Sequence, residues 1–83
     1  MKRTIYVMLD QVSGQYGGVF DFANDTDMMR AMKNMCTSGQ VPEYVIRDTV
    51  VVQLAEFQID GSAPVVKPLM PVVVCRLEDI CED

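Results

Sequence analysis

The Val-rich segment at residues 49–59 is the feature that most constrains the fold of this 83-residue chain. β-Branched and aromatic side chains favour a pleated strand, and they dominate this segment, where Gln53 and Glu56 mark exposed points. Asp60-Gly61 follows and is typical of a tight hairpin turn, so a return strand is expected at residues 64–69. The segment therefore predicts a sheet built on a long hairpin.

Prolines interrupt the second half of this hairpin at Pro64, Pro68 and Pro71. Proline has no backbone N–H to donate to a neighbouring strand, so the return strand is expected at an edge of the sheet. The apolar run that follows, residues 72–77, is predicted to form a fifth strand.

The beginning of the chain has the pattern of a second hairpin. Apolar and polar residues alternate at residues 4–9, which indicates a strand. Ser13-Gly14 supplies turn chemistry, and residues 16–23 are predicted to form the antiparallel partner strand.

A single long helix is expected in the middle of the chain. Asn, Asp and Thr at residues 24–27 can accept the free N–H groups of a first helical turn. Met28, Met32 and Met35 then recur at helical spacing, and Gly39 can end the helix. Pro42 either opens a short helical turn or lies in a loop.

The expected order is β-β-α-β-β-β within one domain, residues 1–83, that ends in a short acidic tail at residues 78–83. We predict an α+β fold, an antiparallel sheet of four to five strands with one main covering α-helix. A small open OB-like barrel is the alternative.

Composition bears on the class of function. Apolar residues make up 49% of the chain, which exceeds what one small core readily hides, so a homo-oligomer is expected. The net charge of −5 is a poor basis for binding nucleic acid, although four of the twelve acids lie in the terminal tail.

The chain carries no histidine and no constellation typical of catalysis, so we predict a non-enzymatic protein without cofactor or metal. Asp25 and Asp27 are better explained by the helix start than by a metal. Cys36, Cys75 and Cys81 have no metal-ligand spacing, and no apolar leader or membrane-length segment is seen. A soluble cytosolic protein with reduced thiols is expected.

Binding of single-stranded DNA is the sharpest positive hypothesis that the residues offer. Such sites combine aromatic rings that stack on bases with cations that follow the phosphates. The candidates are Lys2, Arg3, Arg30 and Lys33 for phosphate, with Tyr6 and Tyr16 for stacking. The alternative is contact with protein, through the Met stripe or an unpaired strand edge.

Two runs of residues carry a family resemblance across residues 4–61. The first run is Ile5-Tyr6-Val7, Asp10, Ser13-Gly14, Tyr16, Phe20, Asn24-Asp25 and Arg30, and the second is Asp48, Leu54, Phe57 and Asp60-Gly61. In order and spacing they resemble the small nonstructural proteins of gokushovirus-like microviruses, which are bacteriophages with single-stranded DNA genomes. The helix is richer in Met than is usual there, and the segment after Pro71 is longer.

The resemblance implies a protein of the infected bacterial cytoplasm that is absent from the virion. It also implies an accessory role in viral DNA replication, by binding single-stranded DNA or the replication machinery. The alternative is a homo-oligomeric module that binds a host or phage protein.

Overall fold

The computed structural model describes residues 2–61 and 63–81. Its elements, in chain order, are β1 (Lys2–Asp10), β2 (Tyr16–Phe22), α1 (Asp25–Thr37), α2 (Glu43–Asp48), β3 (Thr49–Asp60), β4 (Ala63–Arg76) and α3 (Leu77–Cys81).

The four strands form one antiparallel sheet in the order β2-β1-β3-β4. Both predicted hairpins are present, β1 with β2 and β3 with β4, and β1 pairs with β3 at the centre of the sheet. The α+β class with an antiparallel sheet is therefore confirmed. The sheet is open, with β2 and β4 at its edges, and does not close into the alternative OB-like barrel.

The predicted fifth strand is wrong, because residues 72–76 continue β4. Pro68 pairs with Ala55 and Val72 pairs with Gln53, so three residues on β4 lie opposite Leu54 alone. This bulge accommodates Pro71 without a turn, since a bulge leaves the extra residues outside the hydrogen-bonded ladder. Pro64, Pro68 and Pro71 do lie on an edge strand, as the sequence predicted.

The main helix, α1, begins and ends where its capping residues predict. The Asn24 side chain accepts a hydrogen bond of 2.8 Å from the backbone N–H of Asp27, which satisfies one free donor of the first turn. Gly39 follows the helix with φ of 76°, a conformation that glycine adopts without strain.

Two short helices, α2 and α3, accompany α1, the longest helix of the described chain, and α3 was not predicted. Helix α2 follows Pro42, so this segment forms a short helix and not a loop. Helix α3 covers Leu77–Cys81, where the sequence suggested strand and then tail, and Leu77 is fully buried. Residues 82–83 lie outside the described part of the chain.

The helices pack on one face of the sheet. The main core cluster joins Met28 and Met32 of α1 and Leu77 of α3 to Tyr6 and Val51 of the central strands. The Met stripe is thus core. A second buried cluster, Val7, Val50 and Val52, lies on the opposite face of the sheet.

A disulfide between Cys36 and Cys81 joins the end of α1 to α3, so the expectation of three reduced thiols is wrong. The error has a structural cause: α3 folds back against α1 and brings the two Cα atoms to 5.8 Å, within the usual range for a disulfide. Cys75 is the free cysteine among the described residues.

Removal of this disulfide should cost the fold much of its stability. The bond closes a loop with a sequence separation of 45, for which loop entropy predicts a loss of about 4 kcal/mol. We expect dithiothreitol to lower the urea midpoint of the wild-type chain sharply, and a C36S/C81S variant to show the lower midpoint without reductant.

The matched control is C75S, which keeps the disulfide and should respond to dithiothreitol as the wild type does. An unchanged wild-type midpoint in reductant would contradict the assignment.

Candidate functional site

The face of the sheet opposite the helices, here named the open face, is the most distinctive surface of the molecule. Strand register places its side chains in four rows that run across the strands. The rows are Tyr16, Leu9, Val50 and Arg76; Val19, Val7, Val52 and Val73; Asp21, Ile5, Ala55 and Pro68; and Arg3, Phe57 and Val66.

The second of these rows consists of valine on all four strands. Val7 and Val52 at its centre are 3% and 4% exposed, because strand neighbours surround them. Val19 and Val73 at its ends are 64% and 50% exposed. Among the described residues, the cluster under this face contains strand side chains alone, so no helix of the chain covers it. The row is therefore apolar from edge to edge and open to solvent at both ends.

A shallow depression of about 310 Å³ lies on the open face between the valine row and the ion pair of Arg3 and Asp21. Its lining consists of Ile5, Val19, Asp21 and Phe57. Arg3 Nε donates to Asp21 Oδ2 at 2.5 Å, so the two charges next to this depression neutralise each other. The open face thus combines apolar area with one internally compensated ion pair.

The edge formed by β4 is poorly suited to accept another strand. β4 pairs with β3 on one side and forms one edge of the sheet. Pro64, Pro68 and Pro71 on this strand carry no N–H. Fewer donors are therefore available to a further strand, which is a common device against edge pairing.

The predicted DNA-binding residues do not come together on one surface. Arg3 and Tyr16 lie on the open face, but six residues of β1 separate their rows, which is roughly 20 Å along a strand. Arg30 and Lys33 are exposed on α1, on the other side of the sheet. Lys2 pairs with Glu56 at 3.1 Å, which offsets its charge.

Tyr6 has a structural role that does not fit the predicted stacking on a base. Its ring is fully buried and packs against Phe20, with centroids 6.0 Å apart. Its hydroxyl donates to Asp25 Oδ1 at 2.5 Å, which ties the central strand to the first residue of α1. Burial, followed by this hydrogen bond, raises the pKa of the Tyr6 hydroxyl far above its usual value. Tyr6 therefore offers no ring face to a ligand.

A cleft of about 710 Å³ lies between α2 and α3 on the helical side. It is lined by Glu43, Tyr44, Ile46, Arg47, Glu78 and Cys81. Arg47 is engaged by its neighbour Asp48, with Nε to Oδ1 at 3.0 Å. The cleft is thus wide and mixed in charge, and its one cysteine is held in the disulfide.

Among the described residues, no group of three or more acidic or cysteine side chains is close enough to hold a metal ion. Burial, with Asp25 and Asp79 nearby, raises the pKa of the Cys75 thiol to about 11, so almost no thiolate exists at neutral pH. Within the described part of the chain, no helix is long and apolar enough to cross a membrane.

Comparisons with known proteins identify no family for this chain. No protein-family model matches it, and no curated protein or solved structure shows significant similarity to it. The resemblance to the microviral nonstructural proteins stays a prediction.

The sequence analysis did not predict the open face, although three consecutive valines in the sequence indicate it. Val50, Val51 and Val52 are consecutive, and neighbouring residues of a strand point to opposite faces. Three valines in a row therefore indicate a strand that is apolar on both faces.

The pKa of Cys75 predicts slow alkylation of this thiol at neutral pH. Because the thiolate is the reactive form, the rate for the wild-type chain should rise with pH to a midpoint near 11. The measurement is iodoacetamide labelling followed by mass spectrometry, with the urea-unfolded chain as a control that should titrate near 8.5. A folded-state midpoint near 8.5 would refute the buried environment of Cys75.

Proposed function

We propose that this chain is a non-enzymatic protein-interaction module whose contact surface is the open face. The observation that carries the proposal is the valine row, which crosses all four strands and has no helix over it. Apolar surface of this extent on a small soluble domain is typical of a surface that another macromolecule covers.

The charges of the open face favour protein over nucleic acid as the partner. Nucleic-acid surfaces gather uncompensated cations, since release of counterions from phosphate drives binding. On this face Arg3 is neutralised by Asp21, and Arg76 lies 3.4 Å from Glu78. The centres of protein interfaces are, in contrast, depleted in charge, as the valine row is.

The mode of contact that fits the valine row is packing of a surface against the face. Pro64 and Pro68 disfavour strand addition at the β4 edge. Stacked sheets approach to about 10 Å and interdigitate their side chains, and the apolar side chains of this face suit such a contact.

Site-specific photo-crosslinking tests the proposed surface. A benzophenone amino acid is placed at position 19, on the exposed end of the valine row, and the full chain is irradiated in bacterial cells that express it. We expect covalent adducts with protein from this position, because Val19 lies at the proposed contact. Mass spectrometry then distinguishes adducts of the chain with itself from adducts with another protein.

The matched control has the same amino acid at position 12. Val12 is 77% exposed in the turn between β1 and β2, outside the open face. Equal yields at positions 12 and 19, or no adduct at position 19, would overturn the proposal.

A role in phage DNA replication through single-stranded DNA is the second candidate function. Arg30 and Lys33 favour it, because both are exposed on α1 and neither has an ion-pair partner among the described residues. If the microviral resemblance holds, DNA or the replication machinery in the host cytoplasm would be the partner.

Fluorescence anisotropy with a labelled single-stranded oligonucleotide tests this candidate. We expect R30A/K33A to weaken binding and to reduce the salt slope by about 1.4, since each phosphate contact on a single strand contributes about 0.7. K67A is the matched control, because Lys67 is exposed on the far hairpin. Unchanged affinity and slope in R30A/K33A would remove this site.

A further inference from the structure

We infer that the partner of the open face is a second copy of this chain, packed face to face about a twofold axis. The inference rests on the proposed function and names its partner. Three properties of the face support it: its size, the distribution of charge around it, and the compensated ion pair within it.

The open face approaches the dimensions of a small dimer interface. The four rows of the open face span about 20 Å along the strands, and four strands about 4.8 Å apart span about 19 Å, so the footprint is roughly 400 Å². Because side chains make the accessible surface larger than its projection, this approaches the lower end of the standard interface size, about 600 Å² per partner. One copy therefore supplies enough surface to cover another.

Charge favours face-to-face packing over other arrangements of two copies. The chain carries a net charge of −5, so two copies repel each other through most of their surfaces. Asp25 and Asp27 lie on α1, and Asp79 lies on α3, on the helical side of the sheet. Face-to-face packing places these acids on the two outer sides of the dimer, where their repulsion is smallest.

The ion pair of Arg3 and Asp21 makes the face self-complementary. A twofold interface brings the same patch of both copies together, so any charge in it must be matched by the opposite charge of that patch. Arg3 and Asp21 satisfy this condition, because each copy presents one cation and one anion side by side.

Sedimentation equilibrium of the purified full chain tests the inference directly. The wild type should form a dimer as concentration rises to about 1 mM, a range that detects even weak association. V19K/V73K should raise the dimer dissociation constant by about 100-fold or more, because it buries unpaired ammonium groups. Val19 and Val73 are half or more exposed, so the monomer should keep its fold, as circular dichroism would verify.

V12K is the matched control for this variant, since it introduces the same side chain at an exposed valine outside the open face. Its dissociation constant should stay within about threefold of the wild type, as is usual for positions outside an interface. A dimer that survives V19K/V73K would overturn the inference.

A mixing experiment separates loss of the interface from loss of the fold. R3D places two carboxylates side by side on the face, and D21R places two guanidinium groups there. Two copies of the same variant should repel each other, so each variant should be monomeric alone. An equimolar mixture of R3D and D21R should restore the dimer, because the two faces are then complementary. No dimer in the mixture would count against face-to-face packing.

The outcomes also distinguish the inference from the proposed function. A wild-type chain that stays monomeric throughout refutes the second copy as partner. Crosslinks from position 19 to another protein would then still support the open face as a contact surface, whereas their absence as well would refute both.

Discussion

The packing of Met28, Met32 and Leu77 onto Tyr6 and Val51 is the interaction on which the rest of the structure depends. It removes the helical face of the sheet from water and uses the buried side chains of both α1 and α3. Burial of this kind is the main favourable term in folding. Because β3 is apolar on both faces, the same packing leaves the second face without cover, and this imbalance is the physical basis of the proposed function.

The Cys36–Cys81 disulfide supports this arrangement from the other end of the chain. A domain of this size buries too little surface to be very stable, and small domains often add a covalent link. Helix α3 is only one turn and a half long, so it depends on tertiary contacts and not on helix propensity. The disulfide holds it against α1, and the hydroxyl of Tyr6 holds the beginning of α1 to the sheet.

Much of the fold could be predicted from local chemistry. Asn24 and Gly39 mark the ends of α1, and the long strand β3 follows from its β-branched residues, because each signal acts through the backbone of its own segment. The fifth strand was predicted wrongly since Pro68 and Pro71 resemble a break in sequence, whereas an edge strand can absorb them in a bulge.

The remaining features depend on tertiary contacts that no local pattern contains. The alternation around Tyr6 predicts a strand with two distinct faces, but it does not say which face the helix will cover. Tyr6, which lies in the core, was therefore predicted to stack on a base. The pairing of Cys36 with Cys81 depends on how α3 folds back, and its acidic sequence resembles a solvated tail. The candidate site was not predicted either, because its valines are distributed over four strands and come together only when the strands pair.

The central claim is that one face of the sheet is left uncovered by the chain itself. Methyl NMR of valine-labelled protein with a soluble paramagnetic probe tests it most directly. In dilute solution, the methyl signals of Val19 and Val73 should be strongly broadened by the probe, while those of Val51, on the helical face, should be protected. Protection of all three valines in a sample that sedimentation shows to be monomeric would contradict the account, because the chain would then cover both faces of its own sheet.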